Sequence, residues 1–214
     1  MIITVRQGRG DKIHISADGE YQFTVDREFW FSQGIASGEA VTSERMDRLR
    51  EEALFRRAYR KALDLLSYSM RSRRALTDRL IQDGISPDLA ARAADRLEEY
   101  GVLDDARYAE LYAQELLRNR KLSARGIQDR LMSKGIDRET AREAVEGLEI
   151  DEEEGIEALL RGKLSFFSRG RKDRERAAAA LARRGYGYSE IRRVMERLEE
   201  ELGNGDELCP TPLE

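Results

Sequence analysis

Residues 181–198 read LARRGYGYSEIRRVMERL, and the same spacings occur twice upstream, as LIQDGISPDLAARAADRL at 80–97 and LMSKGIDRETAREAVEGL at 131–148. Superposed, the three stretches keep Leu at the first position (Leu80, Leu131, Leu181), Gly at the fifth (Gly84, Gly135, Gly185) and Leu at the eighteenth (Leu97, Leu148, Leu198), with offsets of 51 and 50 residues. Upstream of the glycine runs an apolar ridge at helical spacing, Leu76, Leu80 and Ile81 in the first copy and Ile127, Leu131 and Met132 in the second. The glycine ends that helix, because a residue without a Cβ enters the left-handed conformation that a C-terminal cap requires. Two residues on stand Ser86, Asp137 and Gly187, all competent N-caps, with Pro87 at the first helical position of the first copy. The helix that starts there carries a stripe at i, i+3, i+4, i+7: Ala90, Ala93, Ala94, Leu97; then Ala141, Ala144, Val145, Leu148; then Ile191, Val194, Met195, Leu198. Each copy therefore predicts helix, two-residue turn, helix.

A further helix precedes each pair, in the segments holding Leu65 and Leu66, Leu116 and Leu117, and Phe166 and Phe167. Three helices with one apolar face each have little core of their own, and stacking neighbours would bury more. The expected fold is mainly α: three tandem three-helix repeats in an elongated array, with a small antiparallel β element at the N-terminus. The expected division is a β-rich element at 1–42, a first repeat with a lead-in helix at 43–103, repeats at 104–150 and 151–202, and a disordered tail at 203–214.

The N-terminal region differs from the rest. Ile2, Ile3 and Val5, then Ile13 and Ile15, then Tyr21, Phe23 and Val25 alternate with period two, and Ala17-Asp18-Gly19-Glu20 is a hairpin turn. Three such strands are marginal alone, so they are expected to pack on a helix with Phe29, Trp30 and Phe31 between them.

Charged residues are 37% of the 214-residue chain, which suits an elongated helical protein with a thin core better than a sphere. The net charge of −4 does not advertise a nucleic-acid binder. The single cysteine, Cys209, forms neither a disulfide framework nor a zinc site, so a reducing cytoplasm is expected. No apolar run approaches the ~20 residues of a membrane span, and MIITVRQGRGDK lacks the pattern of an export signal.

Catalytic constellations are not evident. Asp104-Asp105 could pair for metal or acid–base work, but a position just before a helix makes N-capping the better reading. His14, the only histidine, reads as a plain strand residue, and no phosphate-loop or dinucleotide fingerprint occurs. No cofactor, metal site or enzymatic activity is expected.

Charge segregation is more informative. Glu146 to Glu157 holds seven acids and no base, whereas Arg161 to Arg176 holds seven bases against two acids. Basic clusters open the corresponding part of each repeat: Arg71, Arg73 and Arg74; Arg118, Arg120, Lys121 and Arg125; Arg169, Arg171, Lys172 and Arg174. They are expected in the turns between first and second helices, where equivalent positions of a stacked array would form a row for phosphates or an acidic protein surface. The plainer alternative is solvated helix ends complementing C-terminal dipoles. Aromatics able to stack on bases are sparse near the row, apart from Phe166, Phe167, Tyr186 and Tyr188.

Gly101-Val102-Leu103-Asp104-Asp105-Ala106-Arg107-Tyr108-Ala109 resembles the most recognisable segment of the RecX regulatory proteins, and Arg184-Gly185-Tyr186-Gly187-Tyr188-Ser189-Glu190-Ile191-Arg192-Arg193-Val194 resembles that family's third-repeat signature. The resemblance covers roughly residues 55–200. It implies tandem three-helix repeats and a monomeric cytoplasmic regulator that lies along the RecA recombinase filament on single-stranded DNA. Such a regulator suppresses strand exchange, ATP hydrolysis and co-protease activity. It supplies no catalytic motif to carry over. The alternative function is a helical-repeat protein that binds single- or double-stranded DNA directly, without recombinase contact.

Overall fold

The computed structural model describes residues 1–162 and 171–205, the side chains of 202–205 excepted, and they divide into two compact units at Leu103/Asp104. The first unit begins with strands β1 (Ile3–Gln7), β2 (Lys12–Ala17) and β3 (Glu20–Asp26), an antiparallel meander in that order. Asp18 (φ 49°) and Gly19 (φ 85°) form the two-residue turn, both left-handed as the twist of a tight hairpin demands. Val5 lies opposite Ile15, Ile15 opposite Phe23 and Ile13 opposite Val25, so one face of the sheet is apolar.

Tyr21 departs from the expected alternation. The β2–β3 register slips by one between Ile15 and Ser16, which sets Tyr21 opposite Ser16 and leaves it 63% exposed. Helix α1 (Arg27–Ser32) is capped by Asp26, whose carboxylate accepts from the Phe29 N–H at 2.7 Å. Phe29 and Trp30 fill the space between sheet and helix as expected. Phe31 does not: about 200° round the helix from Phe29, it is 70% exposed.

Helix α2 (Ser43–Tyr68) serves two cores. Met46, Leu49 and Ala53 cover the sheet, while Ala62 enters the first three-helix group, so the expected lead-in helix and first repeat helix are one 26-residue rod. The group is completed by α3 (Arg73–Gln82) and α4 (Pro87–Glu99), with Leu76, Leu80, Ala90, Ala94, Leu97 and Leu103 buried together. Ile81, expected on this ridge, is exposed, because one residue past Leu80 swings about 100° away.

The second unit holds two further groups. The first is α5 (Asp105–Glu115) with a π-helical turn at Leu116–Arg120, then α6 (Ala124–Ser133) and α7 (Arg138–Glu146); the second is α8 (Glu152–Arg161), α9 (Arg171–Ala182) and α10 (Tyr188–Gly205). Helix α10 runs three residues into the stretch expected as tail; Phe166, Phe167 and residues 206–214 lie outside the described residues. Each three-helix group closes a core of its own, larger than the little expected: Ile127, Leu131 and Ala141 centre one, Ile156, Leu160, Leu181 and Val194 the other.

The glycines that organise the repeat stand where expected, with φ of 84°, 89° and 93° at Gly84, Gly135 and Gly185. Asp137 caps α7 by accepting from the Glu139 and Thr140 N–H groups at 2.9 and 3.0 Å, and the Gly187 carbonyl takes the first bond of α10 from Ile191 at 3.0 Å. Ser86 occupies the N-cap of α4 without a side-chain bond, so Pro87 and the first-turn acid Asp88 favour that start.

Candidate functional site

The basic clusters are placed by a pair of serines. Ser72 and Ser123 are fully buried N-caps of α3 and α6, accepting from the N–H of Ala75 at 3.2 Å and of Gly126 at 3.0 Å. Their separation is the repeat offset of 51 residues, a signal the glycine and leucine pattern overshadows. Arg73 and Arg74, and Arg125, therefore lie in the first turns of α3 and α6, and not in the turns between helices as expected; Arg171, Lys172 and Arg174 lie within α9. Cations in a first turn face the positive end of the helix dipole, which opposes them. Dipole complementarity accounts only for Arg118 and Arg120, at the end of the π turn.

In the first cluster, Arg73 is committed internally, to Asp95 at 2.5 Å and to Glu98, both on α4. Arg74 extends into solvent 3.8 Å from Asp78, and Arg71 is half-buried with its Nε lacking a hydrogen-bond partner among the described residues.

The second cluster is the most open. Arg118, Arg120, Lys121 and Arg125 are exposed, and none makes an ion pair with a described residue. Lys121 holds a left-handed backbone (φ 50°, ψ 55°), a conformation that costs a non-glycine residue about 1 kcal/mol. What fixes the loop comes from the next repeat. The Tyr186 hydroxyl donates to the Lys121 carbonyl at 2.9 Å, and the Arg184 carbonyl accepts from the Ser123 N–H at 3.2 Å and its hydroxyl at 3.3 Å. Gly126 and Gly185 pass backbone against backbone: a Cβ on Gly126 would strike the Arg184 carbonyl, and one on Gly185 the Gly126 nitrogen. Gly155 of α8 likewise leaves the room that the Tyr186 ring and hydroxyl occupy. Burial foremost, with the Glu152 carboxylate nearby, pushes the Tyr186 hydroxyl up to about 12.

In the third repeat, Arg171 pairs with Glu175 at 2.9 Å and Arg174 with Glu199 at 3.0 Å; Lys172 is exposed, and Arg169 lies outside the described residues. The acidic run does not face solvent alone. Glu153 binds Arg193 and Arg197 at 2.9 and 3.0 Å, and Glu157 binds Arg161 and Arg197, both at 2.8 Å. Acid-rich α8 is thereby cross-linked to two arginines of α10, and Glu152–Glu154 occupy the α8 N-terminus that the dipole favours for them.

Of the aromatics noted for stacking, Tyr186 is buried and Tyr188 is 70% exposed. Asp104 caps α5, accepting from the Arg107 N–H at 2.9 Å. His14 is a cross-strand residue, its Nδ1 2.7 Å from Thr24 Oγ1. Among the described residues no three His, Cys, Asp or Glu side chains converge as a metal site would require, and no helix is long and apolar enough to cross a membrane.

Comparison with known proteins agrees with this architecture. Residues 58–97 match the model for the RecX first three-helix domain and residues 104–145 that for the second. Regulatory protein RecX of Caldanaerobacter subterraneus subsp. tengcongensis is 30% identical over 156 residues, covering 72% of this chain and 79% of the relative. That of Lactobacillus johnsonii is 28% identical over 211 residues, 94% and 76% of the two chains. A crystal structure of regulatory protein RecX superposes with a TM-score of 0.69 at 20% identity, over 91% of this chain and all of the other. The chain belongs to the RecX family.

Proposed function

We propose that this RecX-family regulatory chain binds the RecA recombinase filament on single-stranded DNA and restrains its ATP hydrolysis, strand exchange and co-protease activity. It acts in the cytoplasm and catalyses nothing itself. The observation that carries this reading is the second-repeat cluster: four exposed cations without ion pairs among the described residues, from the π turn to the start of α6, around a strained backbone at Lys121 that the third repeat holds in place. Four unneutralised positive charges so fixed suit a partner surface of acidic side chains or phosphates. In the first repeat Arg74 stands one repeat offset from Arg125, and in the third Lys172 adds a further exposed cation.

The test is the DNA-dependent ATPase of the cognate recombinase, titrated with the parent and with the Arg118→Glu/Arg120→Glu/Arg125→Glu variant. The variant should lose inhibition while keeping the parent's circular dichroism melt, since none of the three side chains enters a core. Undiminished inhibition by the folded variant would remove the cluster from the mechanism. A pull-down in which the parent retains DNA but never recombinase would favour direct nucleic-acid binding instead.

A further inference from the structure

The N-terminal sheet and α2 enclose a groove of about 480 Å³ within the first unit, apart from the repeat clusters. Its floor is Val25 and Phe29; its walls are the start of β2, the end of β3, one side of α2 and the α3–α4 turn. Five cations line it, Lys12, Arg56, Arg57, Arg60 and Lys61, against three carboxylates. Two of the cations are held: Arg60 by Asp26 and Lys61 by Asp83, each at 3.1 Å. Asp64, the third carboxylate, takes part in no ion pair among the described residues and bounds the groove with the opposite charge.

The other three cations have no carboxylate among the described residues. The Arg56 guanidinium lies over the Phe29 ring, 5.2 Å from its centroid, which fixes it without neutralising it. Lys12 and Arg57 are exposed at the groove and make no ion pair with a described residue. The groove thus presents three uncompensated cations on two rigid elements, one of them stacked in a fixed orientation. That arrangement selects an anion with several acceptor oxygens.

We propose that this groove binds the phosphodiester backbone of a nucleic-acid strand, giving the N-terminal β element a binding role of its own. A backbone fits better than a terminal phosphate. Terminal phosphates are usually cradled by backbone N–H groups at a glycine-rich turn or helix start, whereas the α1 N-terminus beside this groove is already taken by Asp26. Here the uncompensated donors are Arg and Lys side chains on two elements, Lys12 of β2 and Arg56 and Arg57 of α2, the pattern of sequence-independent backbone contacts.

The experiment uses the full chain without recombinase and a fluorescein-labelled oligothymidylate, followed by anisotropy across a salt series. The Lys12→Glu/Arg57→Glu variant should bind at least ten-fold more weakly at low salt. Its slope of log affinity against log salt should be smaller by about 1.4, the loss of two single-strand phosphate contacts. Affinity and slope equal to the parent's would overturn the proposal. A second readout is local: the oligonucleotide should slow acylation of Lys12 several-fold, in the parent and equally in the Arg118→Glu/Arg125→Glu variant. Absence of protection at Lys12 would overturn the site even if DNA binds elsewhere, and protection by ATP but not by the oligonucleotide would overturn the strand assignment. Retained recombinase inhibition by the groove variant would separate this site from the second-repeat cluster.

Discussion

The Tyr186 hydroxyl donates to the Lys121 carbonyl at 2.9 Å across 65 residues of sequence, so the strained end of the second repeat's basic loop is held by the third repeat's turn. The phenol is buried and its ionisation pushed up to about 12. Removing the hydroxyl by Tyr186→Phe should therefore cost about 1 kcal/mol in urea unfolding at pH 7. It should also change the alkaline limb. Below pH 10 folded and unfolded phenols both keep the proton; between about 10 and 12 only the folded one does, so the parent loses stability as pH rises through that window. The variant should lack that component, and identical parent and variant curves would refute the hydrogen bond.

The repeat glycines separate backbone strain from crowding. Gly84 and Gly185 share a left-handed φ, but a Cβ at Gly84 meets open space whereas one at Gly185 meets Gly126 and Ser123. Gly84→Ala should cost about 1 kcal/mol, and Gly185→Ala clearly more. Equal melting temperatures for the two variants would show that the Gly126–Gly185 contact contributes nothing.

Asp137 is stabilised as a carboxylate, the Thr140 hydroxyl first and backbone N–H groups second holding its pKa below the usual range. The sign is that of a depressed acid: its contribution is present above the ordinary aspartate range and is lost as pH falls through the folded-state value. Asp137→Ala should lower the neutral-pH melting temperature by a few degrees. The difference from the parent should shrink in acid; a constant difference would dismiss the charged cap.

Arg73 and Arg74 are neighbours in sequence with opposite assignments. Arg73 ties α3 to Asp95 and Glu98 of α4, and the Asp95 hydrogen bond foremost raises its pKa; Arg74 reaches solvent. Arg73→Ala should lower stability by up to ~1 kcal/mol, while Arg74→Ala should leave the melt unchanged. The reverse ranking would exchange their roles.

The repeat itself was legible because it rests on short-range rules: a glycine whose missing Cβ permits positive φ, a cap two residues on, and a stripe at helical spacing. The positions of Ala90, Ala93, Ala94 and Leu97, all fully buried, follow from that stripe alone. Local rules failed where a side chain's direction depends on a neighbouring element, as with Tyr21, flipped by a one-residue register slip, and Phe31 and Ile81, a step past the inward face of their helices.

The sequence by itself determined the helices, their ends, the hairpin and the charge of each cluster, since these depend on residues a few positions apart. Only the tertiary structure decided which cations are free. Arg73 is consumed by α4, and Glu153 and Glu157 of α8 by Arg193 and Arg197, whereas Arg118, Arg120, Lys121 and Arg125 form no ion pair with a described residue. It also decided that Gly126 and Gly185 are the places where two repeats come close enough for Tyr186 to reach Lys121, and that Gly155 leaves room for the Tyr186 ring within the third repeat. Charge is a property of a residue, but its availability depends on partners tens of residues away, and only packing brings those within the few ångströms where pairing occurs.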